Sequence, residues 1–165
     1  AFGMSGEETY KVVKNVKDVA TRPVIVKLSP NVTNIVEIAK YAVDAGADAL
    51  TVANTYIGMA VDLKTRRPKL GNITGGLSGP AIKPLTMRLV YAIKKAIDIP
   101  VIASGGIMTA EDALEYLMIG ASAIQVGTAN FTKPDIMIDI IEGIKKFMLN
   151  EKIQDINDFI GSLNI

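Results

Sequence analysis

The chain has no cysteine and no histidine. Disulfides, thiolate nucleophiles, imidazole bases and the usual zinc sites are therefore excluded within it, and no metal site is expected. The absence of cysteine also fits a reducing compartment, so the cytoplasm is the expected location. Excess charge of one sign is missing too. Against 17 acidic residues stand 18 basic ones, a net +1, and their scatter along the chain favours neither nucleic acid nor a membrane surface as partner. No apolar run approaches the roughly 18 residues of a membrane span; the longest candidates are interrupted by Gly, Asp or Lys. Aromatics are only 5%. The chain opens Ala1-Phe2-Gly3 with no initiator Met, which is expected of a processed, trimmed or partial product and is open to an intact-mass measurement.

What is present is aliphatic. Hydrophobic residues make up 49% of the 165, the mean hydropathy is +0.30, and most of that mass is Ile, Val, Ala and Leu. This mix suits parallel strands buried on both faces by covering helices. The length suffices for one domain with a sizeable core.

Short apolar runs alternate with amphipathic stretches. A leading helix is expected over Phe2–Ala20, then a β-branched strand over Pro23–Leu28. Over Asn34–Ala45, Ile35, Ile38, Ala39, Ala42 and Val43 fall on one helical face, and Gly46 is placed to end that helix in a left-handed conformation. Ala49–Val52 reads as the next strand. The second half repeats this pattern. Pro100-Val101-Ile102 echoes Pro23-Val24-Ile25, and Gly120-Ala121-Ser122-Ala123-Ile124-Gln125-Val126 mirrors Gly46-Ala47-Asp48-Ala49-Leu50-Thr51-Val52. Thr109 with Asp112 forms a capping-box-like start for the helix that Gly120 ends. Further helices are expected over Ala81–Ile97, over Asp135–Leu149 (Met137, Ile140, Ile141, Ile144 and Met148 on one face) and, briefly, over Ile153–Ile160.

Such alternation argues for an α/β fold with a parallel sheet. A flavodoxin-like doubly wound sheet and a barrel both satisfy it. A whole eight-unit (β/α) barrel takes about 250 residues, so four βα units amount to half of one. An isolated half leaves two apolar sheet edges open. The internal repeat favours the barrel.

In either architecture ligands bind beyond the carboxyl ends of the strands, and the unusual residues sit there. Lys27 ends the first strand inside an apolar run. Such a cation either pairs, serves an anionic ligand or reduced cofactor, or escapes to solvent at the strand mouth. Asn54-Thr55 ends the second strand and offers uncharged donors and acceptors suited to a polar planar substrate. Ser104-Gly105-Gly106 and Gly127-Thr128-Ala129-Asn130 end the last two, where backbone N–H groups close on a phosphate. Tyr56–Gly79 is long for a βα connection. Its Lys64, Arg66, Arg67 and Lys69 read as a solvated hairpin, whereas Gly79 before Pro80 reads as an anion-facing helix start.

In order and with sensible spacing, Val26-Lys27-Leu28-Ser29-Pro30-Asn31, Ala53-Asn54-Thr55, Gly75-Gly76-Leu77-Ser78-Gly79-Pro80-Ala81-Ile82-Lys83-Pro84, Ile99-Pro100-Val101-Ile102-Ala103-Ser104-Gly105-Gly106-Ile107 and Gln125-Val126-Gly127-Thr128-Ala129-Asn130-Phe131 resemble dihydroorotate dehydrogenase. The likeness is nearest to the catalytic subunit of its NAD-linked, two-subunit type and runs from Ala1 to about the end of the Asp135–Leu149 helix. It implies the C-terminal half of a TIM (β/α)8 barrel, with residues 1–165 as a single partial domain. By that resemblance the whole protein oxidises dihydroorotate to orotate with FMN in pyrimidine (UMP) biosynthesis. Lys27, Ala53, Gly79, Gly105, Gly106, Gly127 and Thr128 would bind FMN, the last four at its phosphate, and Asn54 and Thr55 would bind the substrate. The implied partners are an electron-transfer subunit carrying FAD and an iron–sulfur cluster, and an oligomer is expected. The family's catalytic base in this type is a Cys on a loop just before the segment that opens here with Ala1. This chain has no Cys, and Ser5, Ser29, Ser78 and Ser104 do not match that position. No catalytic residue is therefore expected within it, and the 165-residue chain is expected to be inactive alone. The rival readings are a related flavin barrel reductase acting on pyrimidines, a non-redox phosphate-binding barrel, and a non-catalytic barrel half that assembles with a partner chain.

Overall fold

The computed structural model describes residues 2–165. Helix α1 (Gly6–Val19) leads into β1 (Ile25–Lys27), α2 (Ile35–Asp44) and β2 (Ala49–Val52). Two antiparallel hairpins follow, one nested in the other. β3 (Tyr56–Met59) pairs with β6 (Thr74–Leu77), and β4 (Val61–Asp62) pairs with β5 (Arg67–Pro68). The chain continues through α3 (Lys83–Ala96), β7 (Val101–Ser104), α4 (Ala110–Met118), β8 (Ala123–Gln125), α5 (Ala129–Thr132) and α6 (Ile136–Asn150). Among the described residues no helix is long and apolar enough to cross a membrane.

β1, β2, β7 and β8 make one parallel sheet in that order. Each strand is added beside its predecessor, with no reversal of direction. A flavodoxin-like sheet reverses its strand order at a switch point and carries helices on both faces. Here the register sets Val26 beside Leu50 beside Val101, and Lys27 beside Thr51 beside Ile102. Because successive side chains alternate faces, these rows belong to opposite sides. The Val26 side packs with Ile38 and Ala42 of α2, Val90 and Ile93 of α3, Tyr116 of α4 and Ile140 of α6 in one core. On the other side Ile25 is 51% exposed, and Lys27, Ala123 and Gln125 are exposed as well. One helix-covered face and one open face are what a barrel wall has, and they decide against the doubly wound alternative.

The internal repeat has a structural counterpart. Gly46 (φ 98°) and Gly120 (φ 105°) both leave their helices in the left-handed region. In each case the next amide closes the same bond, from Ala47 N–H to Ala42 O and from Ala121 N–H to Tyr116 O, both 3.0 Å. At the other helix ends, Asn34 accepts from the Val36 and Glu37 amides, and Thr109 with Asp112 makes a full capping box.

Several boundaries differ from expectation. Only Ile25–Lys27 of the expected Pro23–Leu28 run is strand, although Val24 O still accepts from Asp48 N–H and Leu28 N–H still donates to Thr51 O on the β2 side. The expected Ala81–Ile97 helix starts as a 3-10 turn over Pro80–Ile82, and the four-residue α5 was not expected. The expected Ile153–Ile160 helix is reduced to one 3-10 turn, Ile156–Asp158, because the Asp155 carboxylate takes the Asn157 N–H. That turn delivers Phe159 edge-on to Phe147, with centroids 5.2 Å apart, beside Leu114 and Leu117. The expected face of α6 divides. Ile140 is 2% exposed, whereas Met137 and Ile141 are 48% and 51% exposed and line an open groove against β8.

Candidate functional site

The carboxyl ends of the four strands open into one cleft of ≈ 130 Å³. All nine residues expected to bind ligand line it: Lys27, Ala53, Asn54, Thr55, Gly79, Gly105, Gly106, Gly127 and Thr128. Parallel pairing brings them together, since residues far apart in sequence end adjacent strands. Ala53 N–H donates to Ser104 O (3.0 Å) and Asn54 N–H to Leu28 O (2.9 Å), which carries the ladder past the strand ends. The Val52–Ala53 peptide is cis. A wider cleft of ≈ 620 Å³ adjoins and shares Lys27, Ser104, Gln125 and Gly127.

No Asp or Glu lines the first cleft. Lys27 is its only charged lining residue and, among the described residues, makes no ion pair. The remaining polar groups are hydroxyls, amides and backbone. Such a lining attracts an anion and has no carboxylate to repel it.

The glycines act in different ways. Gly105 and Gly106 are pressed against the first turn of α3. A Cβ at Gly105 would lie 2.7 Å from Thr86 Oγ1, and one at Gly106 would lie 2.7 Å from the Lys83 backbone N. Gly106 also has φ 73°, which disfavours any side chain. Gly79 and Gly127 face open space instead. Around Gly76 the reason is local, since a Cβ there would lie 2.2 Å from Thr55 Oγ1. Gly76 thus lets β6 approach the loop of Asn54 and Thr55, and neither Gly75 nor Gly76 lines the cleft.

The loop carrying Asn54 and Thr55 is held by Asn31. Its Nδ2 donates to Thr55 O (2.9 Å) and its Oδ1 accepts from Ile57 N–H (2.9 Å). Asn54 Oδ1 takes the Thr55 N–H at 2.8 Å. Across the cleft mouth, Thr128 Oγ1 and Ser78 Oγ lie 2.6 Å apart, joining the hairpin base to the turn after β8.

The loop from Gly105 to Thr109 is clamped at both ends. The Lys83 ammonium pairs with Asp112 and, at 2.9 Å, with Glu115. Asp112 also accepts from the Met108 and Thr109 amides. Burial by itself would raise the Asp112 pKa, but Lys83 and those two amides together outweigh it and hold the carboxyl below the ordinary carboxylate range. The hydrogen bonds that Lys83 donates to Asp112 and then to Glu115 push its pKa above the ordinary lysine value.

The chain has known relatives. A sequence profile of the dihydroorotate dehydrogenase family matches residues 1–148. The chain belongs to the dihydroorotate dehydrogenase family. It is 53% identical, over 98% of its length, to a Geotalea uraniireducens protein named dihydroorotate dehydrogenase B (NAD(+)), catalytic subunit, and covers 53% of that relative. With the protein of the same name from Geobacter metallireducens it shares 52% identity over 99% of its length, covering 54% of the relative. The chain thus spans about half the length of the curated relatives it matches. A solved dihydroorotate dehydrogenase structure from Eimeria tenella, in complex with ferulenol, superposes with a TM-score of 0.79 at 25% identity, covering 96% of this chain and 48% of that one. The parallel four-stranded sheet is accordingly half of the family's TIM barrel.

Sequence reasoning placed the family's motif glycines at the cleft but did not single out Ser78, Ile82, Met108 or Gln125, which also line it. Gln125 had a legible signal, since it pairs in register with Ser104 at a strand end. Ser78 had none, because its place depends on how the hairpin folds back. The basic cluster lies where a solvated hairpin would put it, with Lys64, Arg66, Arg67 and Lys69 all exposed and outside the cleft lining. The helix after Gly127 is only the four residues of α5, so the turn offers backbone amides and little helix field.

Proposed function

We propose that this chain is one partial domain, the C-terminal half of a barrel enzyme that oxidises dihydroorotate to orotate, and that it supplies the FMN phosphate site and part of the substrate site. The observation that carries this reading is the convergence of Lys27, Asn54-Thr55 and two Gly-rich turns on one cleft without a carboxylate. The residues fit the group. The backbone at Gly105-Gly106 leaves no room for side chains, and Gly79 and Gly127 leave the space before them clear. FMN, when bound, supplies hydride acceptance.

The chain's own residues bind and orient. Amides of Gly105, Gly106, Gly127 and Thr128 hold the phosphate, and Ala53 and Gly79 contact the flavin through backbone. Lys27 lowers the energy of negative charge developing beside it, an effect that grows as water is excluded. Asn54 and Thr55 hydrogen-bond the substrate ring or its carboxylate. No lining residue is a carboxylate, imidazole or thiol, so the group that removes the substrate proton comes from elsewhere in the whole protein, and the 165-residue chain alone is inactive. The final acceptor would be NAD, reached through a partner subunit that would carry FAD and an iron–sulfur cluster. The name shared by the relatives supports that acceptor. A cytoplasmic oligomer working in UMP synthesis completes the reading.

The test is the visible absorption spectrum of the full-length protein, recorded anaerobically with and without dihydroorotate. Bleaching of a bound flavin band is expected. A flavin that ignores dihydroorotate but responds to uracil or its reduced form would assign the barrel to the pyrimidine reductases. Absence of flavin after FMN is supplied would leave only the shared architecture.

A further inference from the structure

The phosphate cradle is held from below by a residue outside the cleft. Tyr116 of α4 is fully buried, at 0% exposure. Its hydroxyl lies 2.7 Å from Gly105 O and 3.2 Å from Lys83 O. With one proton to give, it donates to Gly105 O, the nearer acceptor, with Lys83 O as the longer branch. Burial raises the phenol pKa well above its ordinary value, so the hydroxyl stays a donor at any working pH.

The consequence follows from the peptide unit. The Gly105–Gly106 bond is trans, the only cis bond among the described residues being Val52–Ala53. In a trans unit, the carbonyl of one residue and the N–H of the next point to opposite sides. A Gly105 carbonyl drawn down to the buried Tyr116 therefore turns the Gly106 N–H up, toward the cleft that Gly105, Gly106 and Ile107 line. Among the described residues neither Gly106 N–H nor Ile107 N–H reaches a backbone acceptor. The loop cannot slide to escape this setting, because Thr86 and Lys83 lie against the two glycines.

We propose that Tyr116 is a positioning residue for the phosphate cradle: its hydroxyl sets the orientation of the Gly105–Gly106 peptide, so that free amides meet the anion. This rests on the FMN reading above. Removing the oxygen alone, as in Tyr116→Phe, keeps the ring packing and frees the peptide to rotate, which costs the phosphate end of the ligand and not its ring. The hydroxyls of Thr86 and Tyr56, 3.5 Å apart, continue the chain of polar groups toward the loop of Asn54 and Thr55, but neither holds the Gly105 carbonyl.

The experiment uses flavin-free full-length protein, titrated with FMN and, separately, with riboflavin, which lacks the phosphate. In Tyr116→Phe, FMN affinity is expected to fall by about tenfold while riboflavin affinity stays within about twofold. Tyr56→Phe removes the outer hydroxyl of that chain, which reaches Thr86 and not the Gly105 carbonyl, and the FMN-to-riboflavin ratio is expected to persist. Equal weakening of both ligands in Tyr116→Phe would make the tyrosine a packing residue and overturn the proposal. So would an unchanged FMN affinity, or an equal loss of the ratio in Tyr56→Phe. If the unsubstituted protein binds FMN no better than riboflavin, the phosphate assignment fails first, and the proposal fails with it.

Discussion

The two faces of the sheet are built from alternate residues of the same strands, yet their surroundings differ completely. Leu50, Val52, Val101 and Ala103, on the helix side, are 0% exposed. One residue away along the strands, Ile25 is half exposed, and Lys27 and Gln125 line clefts. The contrast separates the two tasks of such a wall. The helix side supplies the stability of the half, and the open side keeps its surface for what it will enclose.

The contrast can be broken most directly at Leu50. Leu50→Ala deletes a fully enclosed side chain between β1 and β7 and is expected to cost about 2–5 kcal/mol in urea unfolding. A loss below about 1 kcal/mol would mean that the helix side is not packed as a core.

A middle-sized effect is expected where the helix layer meets the cleft. Asp112→Asn removes one end of the Lys83 pair and weakens the Thr109 capping box. It should cost on the order of 1–2 kcal/mol at neutral pH. The pH dependence has a definite sign. A carboxyl held below its ordinary pKa stabilises the fold above its unfolded value of about 4 and loses that contribution as pH falls through its lower folded value. Lys83, raised by its acidic partners, keeps its contribution until pH climbs past the ordinary lysine value of about 10.4. Melting temperatures of Asp112→Asn and the parent protein should therefore converge on acidification below about pH 4. A constant gap down to the lowest pH would show that the charge of Asp112 does not carry the effect.

The smallest effect sharpens the comparison. Ile25→Thr on the open face should change the stability of the 165-residue chain by no more than about 0.5 kcal/mol. In the full-length protein, where barrel closure is proposed to cover that face, the same substitution should cost about 1 kcal/mol or more. Equal small effects in both would argue that this face stays open to water.

Much of this was legible without coordinates. The paired Gly46 and Gly120 turns, the Thr109 cap and the four strand cores were all accessible to local pattern, because the helix-ending glycine and the capping side chain act within a few residues of themselves. The candidate site was legible for a different reason. In a parallel βα array the strand ends always meet at one end of the sheet, so polar and glycine residues at successive ends converge whatever their separation in sequence. Hidden from local pattern were features set by distant neighbours. The α6 face looked uniformly apolar, yet only Ile140 meets a partner there that buries it, while Met137 and Ile141 remain at an open groove. The expected last helix lost to a side chain–backbone bond at Asp155 and to the packing of Phe159 on Phe147.

The sequence by itself determined the order of βα units, their caps and the chemical character of the strand ends, since each depends on residue type and short spacing alone. Tertiary structure decided between barrel wall and doubly wound sheet. That choice lies in which strand sits beside which, and the same alternation of runs permits both. It also decided the part of Tyr116, an unremarkable tyrosine on an amphipathic helix until α4 packs beneath the loop after β7 and brings its hydroxyl to Gly105 O. A hydrogen bond across 11 positions needs a fold to close it.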